Sequence, residues 1–397
     1  MSKQSLCIIS PYNTRSGYGQ HSRLIIKSLL DNPNITDKYE ISLISLRWGG
    51  TPQNALDPNN PNDKKLLDLN LQGNQLTFQP DISIHITIPS EFQRIGKYSI
   101  GITAGTEATL APPKFIEGCN QVDLILTPSQ FTKDVLIGTK VDKKDGDKVV
   151  ETIEVSKPIE VLFEGLDTLV FSKNSVVRTD LTTRLDTIKE SFCFLFVGHW
   201  LQGNLGHDRK DVGMLIKTFF DTFKKKSPKN RPALILKTSG AGFSITERDV
   251  ILDKIHQIQD MVKGDGFNGE LPQIYLINGD LTDSEMNELY NHSKVKSMIS
   301  FTKGEGFGLP LLEFTSTGKP VICSGYSGPM DFLNPEYSQL LPGKLTKIDG
   351  TAANEWLPKE AEWFTVNYTF AGQIMNDVVE KRSEEHTSEL QSPMFIS

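Results

Sequence analysis

The sequence predicts an α/β protein built as two doubly wound domains, and three observations lead there. The chain has 397 residues, more than one ordinary hydrophobic core accommodates. Short apolar runs alternate with longer amphipathic stretches, the pattern of parallel strands covered by helices. The alternation comes as two successive series, separated by a polar stretch at Leu166–Glu190.

In the first half the strand-like runs are Leu6–Ile9, Ile41–Leu46, Ile82–Ile88, Ser99–Thr103, Leu124–Thr127 and Ile159–Phe163. In the second they are Phe192–Gly198, Ala233–Lys237, Ile274–Ile277, Ser297–Phe301 and Pro320–Cys323. Phe192–Gly198 is apolar on both faces, as central parallel strands are. Gly19–Leu30, Val212–Phe223, Thr246–Val262 and Ser284–Asn291 carry apolar residues at helical spacing. These elements predict a first domain at 1–170, a linker at 171–190 and a second domain at 191–381. Asn54–Lys65 and Thr139–Lys157, rich in Asn, Asp, Pro, Gly and Lys, are expected to be surface loops or insertions. Arg382–Ser392 reads RSEEHTSELQS, which resembles the in-frame translation of a widely used sequencing-library adapter. Residues 382–397 are therefore expected to be a non-native tail, with the natural C-terminus missing from this chain.

Hydrophobic residues make up 38% and charged residues 23% of the chain, a globular balance. A formal net charge of -7 lacks the basic footprint of a nucleic-acid binder, so no nucleic-acid partner is expected. Lys224-Lys225-Lys226 and Lys143-Lys144 sit among polar residues and read as solvated surface. The four cysteines, Cys7, Cys119, Cys193 and Cys323, lie far apart without a CxxC pair, which favours a reducing compartment. The start lacks the apolar stretch of a signal peptide, and no segment approaches a bilayer span. A cytoplasmic location is expected, with peripheral membrane contact left open.

The strongest chemical signal is Phe301-Thr302-Lys303-Gly304-Glu305-Gly306-Phe307-Gly308-Leu309-Pro310-Leu311-Leu312-Glu313. A strand runs into a glycine-rich turn, and a helix is expected to begin near Pro310, where the missing N–H costs nothing. The free N–H groups of a helix start suit an anion, and glycines allow close approach to the backbone. Glu305 lies in the loop, placed to grip sugar hydroxyls. Glu313 lies about one turn into the helix, leaning back toward its start, where a carboxylate can accept two hydrogen bonds from a ribose diol.

This stretch closely resembles the E-x7-E hallmark of the retaining glycosyltransferases of family 4, which have the GT-B fold. The likeness extends to Leu276–Leu281 with Glu285 and Leu289-Tyr290, to Gly318–Ile322, to Ser324–Pro329, and to Val161–Thr168 with Phe171. It implies two Rossmann-like domains facing a cleft, with the nucleotide-linked donor on the second and the acceptor on the first. The backbone of Gly306, Phe307, Gly308 and Leu309 would then approach the donor. The resemblance also implies a basic pair on the leaving diphosphate, normally an arginine after the first strand of the second domain and a lysine one loop later. Here Gly198 is followed by His199 where arginine is expected, Lys210 matches the lysine, and Arg209 is a candidate to replace the missing cation. By the same likeness, Gly17 and Gly19 would face the donor phosphates, Thr106 and Glu107 would stand near the acceptor, and His85 would face the sugar.

The function implied is metal-independent, retaining transfer of a hexose-type sugar from a nucleoside diphosphate sugar, used as co-substrate, to a glycan, lipid-linked or protein acceptor. No cofactor is expected. Asp145-Gly146-Asp147 has the D-x-D form of the other major glycosyltransferase fold, but it falls in a Lys-rich insertion without evident flanking strands and reads as surface. The histidines show no spacing typical of zinc ligands. Three rival readings are a nucleotide-sugar epimerase, a non-catalytic nucleotide-sugar-binding relative, and a glycoside hydrolase using Glu305 with Glu313.

Overall fold

The computed structural model describes residues 3–240, 245–264 and 266–391. The first series of apolar runs forms β1 (Gln4–Ser10), β2 (Tyr39–Ser45), β3 (Ile82–Ile86), β4 (Tyr98–Ile102) and β5 (Leu124–Thr127). A hairpin follows, β6 (Val141–Asp145) with β7 (Lys148–Ile153), and then β8 (Ile159–Val161). The six main strands pair in the order β2-β1-β3-β4-β5-β8, every neighbour parallel.

The second series forms β9 (Cys193–Val197), β10 (Ala233–Lys237), β11 (Ile274–Ile277), β12 (Val295–Ser300), β13 (Val321–Ser324) and β14 (Ser338–Leu341). Their order is β11-β10-β9-β12-β13-β14, again parallel throughout. An antiparallel hairpin, β15 (Gly343–Lys347) with β16 (Glu362–Val366), completes the strands. In each sheet the winding direction reverses beside the first strand, between β1 and β3 and between β9 and β12. The crevice beyond the carboxyl ends of strands at such a reversal is where doubly wound sheets bind ligands.

The helix Gly17–Leu30 starts where Ser16 Oγ accepts the Gly19 N–H, and its Ile26 enters the core with Leu6, Ile8 and Leu43. In the second half, Phe219, Phe220 and Phe223 of the helix Val212–Phe223 are fully buried against Phe194 and Leu236 of the sheet. The closing helix, Tyr368–Gln391, adds Ala371, Met375 and Val379 at intervals of one turn to that same core. Its backbone continues over 382–391, all but the last residue of the adapter-like segment. The side chains of 382–391 and all of 392–397 lie outside the described residues.

Several expectations change. Thr139–Lys157 is not a plain loop, since β6 and β7 pair across it and Asp145-Gly146-Asp147 lies at their turn. The D-x-D triplet therefore does have flanking strands, but they belong to a surface hairpin. Asn54–Lys65 runs into a helix at Pro61–Asp68, capped by Asn60, and the linker contains a helix at Asp180–Asp186. The four cysteines are buried free thiols. Among the described residues no helix is long and apolar enough to cross a membrane.

The carboxyl edges of the two sheets meet. Gln20 Nε2 donates to Glu313 Oε1 (2.8 Å), and Arg15 pairs with Asp280 (2.7 Å). Ser129 Oγ donates to the Gly306 carbonyl (2.5 Å), and Gln130 N–H donates to Asp331 (2.7 Å). A Cβ on Gly304 would lie 1.8 Å from the Glu107 carbonyl oxygen, and one on Gly306 would lie 1.7 Å from that of Ala104. Only glycine allows this approach of backbone to backbone. Gly306→Ala should therefore push the two halves apart. We expect a larger radius of gyration by small-angle scattering and a stability loss of about 1–3 kcal/mol. An unchanged scattering profile would show that these loops do not meet in solution.

Candidate active site

Two loops of the second half build a charged cluster at the crevice. One, between β9 and the helix Val212–Phe223, carries Arg209 and Lys210. Its end is held where Asp208 Oδ2 accepts the Val212 N–H (3.1 Å). The other, after β12, carries Glu305 on the glycine turn. Glu305 N–H donates to Ser327 Oγ (3.0 Å), and its carbonyl accepts the Gly328 N–H (3.1 Å). The loops meet directly, because Lys303 N–H donates to the Arg209 carbonyl (2.8 Å).

Lys210 Nζ pairs with Glu305 Oε1, and Arg209 Nη1 lies 3.3 Å from Glu305 Oε2 and 3.1 Å from the Gly304 carbonyl. From the first half, Glu107 comes to 3.7 Å of the same guanidinium nitrogen. Burial pushes the Glu305 carboxyl up, but Lys210 and Arg209 outweigh it and hold it at about 2. Burial lowers the Lys210 ammonium while Glu305 opposes the fall. For Arg209, burial acts downward and the two carboxylates, Glu107 and Glu305, more than cancel it. Glu305 and Arg209 are thus ionised at neutral pH.

Gly198 lies against Phe196 and Lys210, since a Cβ there would sit 3.1 Å from Phe196 Cζ and 3.5 Å from Lys210 Cε. His199 is lowered below its ordinary value by burial and then by Lys210, Lys237 and Arg209. The ring at the expected arginine position therefore carries no charge at neutral pH. Its Nδ1 is 3.3 Å from Ser239 Oγ.

Glu313 sits in the helix Leu309–Thr315, which begins after Gly308 in the left-handed conformation (φ 100°), with Pro310 in its first turn as expected. The carboxylate is buried. Gln20 occupies one oxygen, and Tyr290 O–H donates to the other (2.8 Å). Burial raises its pKa to about 7. Glu164, after β8, is raised to about 8 by burial and then by repulsion from Glu313 and Glu305. Phe307 is buried against Phe332 (ring centroids 5.0 Å), and Leu309 is buried in the helix start.

The structure therefore gathers Glu305, Lys210, Arg209 and Glu107, with Gly198, His199 and the 306–309 backbone alongside. Thr106 is buried next to Glu107. Gly19 packs under the Thr14 carbonyl, whereas Gly17 faces open space. His85 takes part in none of these hydrogen bonds or ion pairs. It is buried in β3 with its ring 6.5 Å from Phe92, and burial lowers it to about 4. Sequence reasoning gave no role to Gln20, Tyr290, Glu164 or Lys237. Lys237 ends β10 and donates to the Gly279 carbonyl (2.8 Å). Its place as the last residue of a central strand was the available signal.

Residues 272–344 match the family model described as Glycosyl transferases group 1. No curated protein matches the chain. Among solved structures, sucrose-phosphate synthase from Thermosynechococcus elongatus aligns with a TM-score of 0.54 and 12% identity over 86% of each chain. The alpha,alpha-trehalose 6-phosphate synthase of Burkholderia multivorans aligns at 0.53 and 10%, over 86% of this chain and 87% of the other. Anabaena Alr3699/HepE in complex with UDP and glucose aligns at 0.51 and 12%, over 83% of each. Likeness at such low identity concerns the fold, which is the GT-B pairing of two doubly wound α/β domains. The matched segment, which holds Glu305 and Glu313, lies within the second of those domains.

Glu164 and Glu313 lead to a pH dependence. Both folded-state values lie above the ordinary 4.5, so each carboxyl favours this closed form most when protonated. The contribution is complete below about pH 4.5 and is lost as pH rises through about 7 to 8. The melting temperature of the ligand-free chain should fall from about pH 6 to about pH 9, and Glu164→Gln should flatten that fall. A melting temperature insensitive to pH over this window would contradict the paired burial.

Proposed function

We propose that this chain is a metal-independent, retaining hexosyltransferase of the family 4 type, moving a sugar from a nucleoside diphosphate sugar to an acceptor. The observation that carries the reading is the Glu305–Lys210–Arg209 cluster at the crevice, beside a segment that matches group 1 glycosyl transferases. Residues 191–381 are the donor side and residues 1–170 the acceptor side. Alr3699/HepE holds UDP and glucose, which makes UDP sugars the first donors to try.

The charges suggest how donor binding proceeds. Arg209 and Lys210 are now balanced by Glu305 and Glu107. A diphosphate would take over as counter-charge, freeing Glu305 for hydroxyls of the sugar. Glu313 would exchange Gln20 for the ribose diol. Because Gly304 and Gly306 touch the first half, the cleft must open to admit the donor and then close again, excluding water.

As the sugar–phosphate bond breaks, Lys210 and Arg209 stabilise the charge gathering on the diphosphate, already oriented and partly dehydrated. The acceptor attacks from the face the diphosphate leaves, its proton passing to a donor phosphate oxygen, so no protein nucleophile is needed. Thr106 and Glu107 line the acceptor side. His85, held neutral, serves at most as a hydrogen-bond partner for the sugar. The buried free thiols fit a cytoplasmic setting.

Thermal stability with UDP, GDP and ADP tests the donor site. The preferred nucleotide at about 100 times its dissociation constant should add roughly 2.7 kcal/mol in the wild type, and Glu313→Ala should abolish that gain. No shift with any nucleotide would sink the proposal. With a donor identified, Lys210→Ala should lower turnover by about 10²–10³-fold while the fold persists. Near-normal turnover would remove Lys210 from the mechanism.

A further inference from the structure

Lys303 stands two residues before Glu305, yet none of its side chain reaches solvent. Its ammonium donates to Asp211 Oδ2 (3.1 Å) and Thr365 Oγ1 (3.1 Å), and lies 5.7 Å over the Trp363 ring. Asp211 is equally buried, and the same Oδ2 accepts Tyr368 O–H (2.6 Å). Asp211 Oδ1 has no partner. A buried ion pair of this kind adds little net stability over an apolar replacement. Its backbone cost is also visible, because Asp211 is a non-glycine residue at φ 53°.

What the pair fixes is the relation between two loops. Asp211 directly follows Lys210, and Lys303 shares the turn of Glu305. The backbone reinforces the link, with Lys303 N–H on the Arg209 carbonyl and Phe364 N–H on the Lys303 carbonyl (both 2.8 Å). Thr365 anchors the ammonium from β16, and Tyr368 anchors the carboxylate from the first residue of the closing helix.

We propose that Lys303, Asp211 and Tyr368 form a buried positioning triad that holds Arg209 and Lys210 against Glu305. Its meaning for sugar transfer rests on the function proposed above, whereas its effect on Lys210 does not. The Lys303 and Asp211 side chains are sealed from solvent, and Tyr368 O–H is turned onto Asp211. Each acts through the loop it anchors, so loosening any one should release Lys210 without unfolding the sheet.

Two shape-conserving substitutions in the full chain test this. Tyr368→Phe removes one hydrogen bond and keeps the ring. Asp211→Asn removes the charge and keeps a residue that tolerates the left-handed conformation. Acylation of Lys210 by an N-hydroxysuccinimide ester, read by peptide mass spectrometry and scaled to the exposed Lys229, reports how firmly the ammonium is held. In Tyr368→Phe, Lys210 should react roughly tenfold faster with the melting curve still cooperative, and affinity for UDP should fall by a similar factor. A lowered melting temperature with Lys210 reactivity unchanged in both variants would make the triad ordinary core and overturn the proposal. Faster acylation in a chain whose wild type binds no nucleoside diphosphate would uphold the positioning triad and reject the donor reading instead.

Discussion

Arg209 and Lys210 are neighbours in sequence and both largely out of water, an arrangement that costs hydration and adds mutual repulsion unless a carboxylate stands between them. Glu305 is that carboxylate, accepting from both. To reach them it must ride on a turn that leaves β12, crosses the crevice and comes back as the helix Leu309–Thr315. The turn in turn presses against residues 104–107 of the first half, and this contact is open only to glycine at 304 and 306. One electrostatic requirement therefore reaches from the second sheet to the seam between the halves.

How far such an arrangement can be read from sequence depends on where its burial signal lies. Phe192–Val197 is apolar on both faces because β9 is covered on both sides, and that doubling is visible in any window. β14 is different. It closes one edge of its sheet as Ser338-Gln339-Leu340-Leu341, with Gln339 exposed, and gives no run long enough to distinguish it from a loop. The β6–β7 hairpin is more extreme, since its exposed Val149 and Val150 face solvent and its lysines mimic an irregular insertion. The closing helix was hidden behind the unusual tail, although Ala371, Met375 and Val379 keep a clean helical interval before it.

The charged site divides along the same line. Glu305, Gly306, Gly308 and Glu313 share one short stretch, so their relation is local and legible. Lys210 and Arg209 needed the family resemblance, because nothing in a mixed-charge loop announces a crevice. Gln20 and Tyr290 converge on Glu313 from positions 293 and 23 residues away, and Glu164 meets it from a third segment. Pairings of that separation are products of topology, and no periodicity encodes them. Lys303 shows the opposite case: nothing in a glycine turn marks its lysine as buried, yet here none of the side chain reaches solvent and the ammonium lies over Trp363.

The hydrogen bond from Gln20 to Glu313 has a thermodynamic consequence for anyone measuring binding. If the carboxylate that would hold a ligand already holds a side chain of the same molecule, association is an exchange reaction. The measured dissociation constant is then the intrinsic one divided by the fraction of molecules whose grip is vacant. Weak binding by the free chain would reflect that internal competitor as much as the fit of the nucleotide. The residue that would then set the apparent affinity, Gln20, lies on the helix Gly17–Leu30, 293 residues along the chain from Glu313.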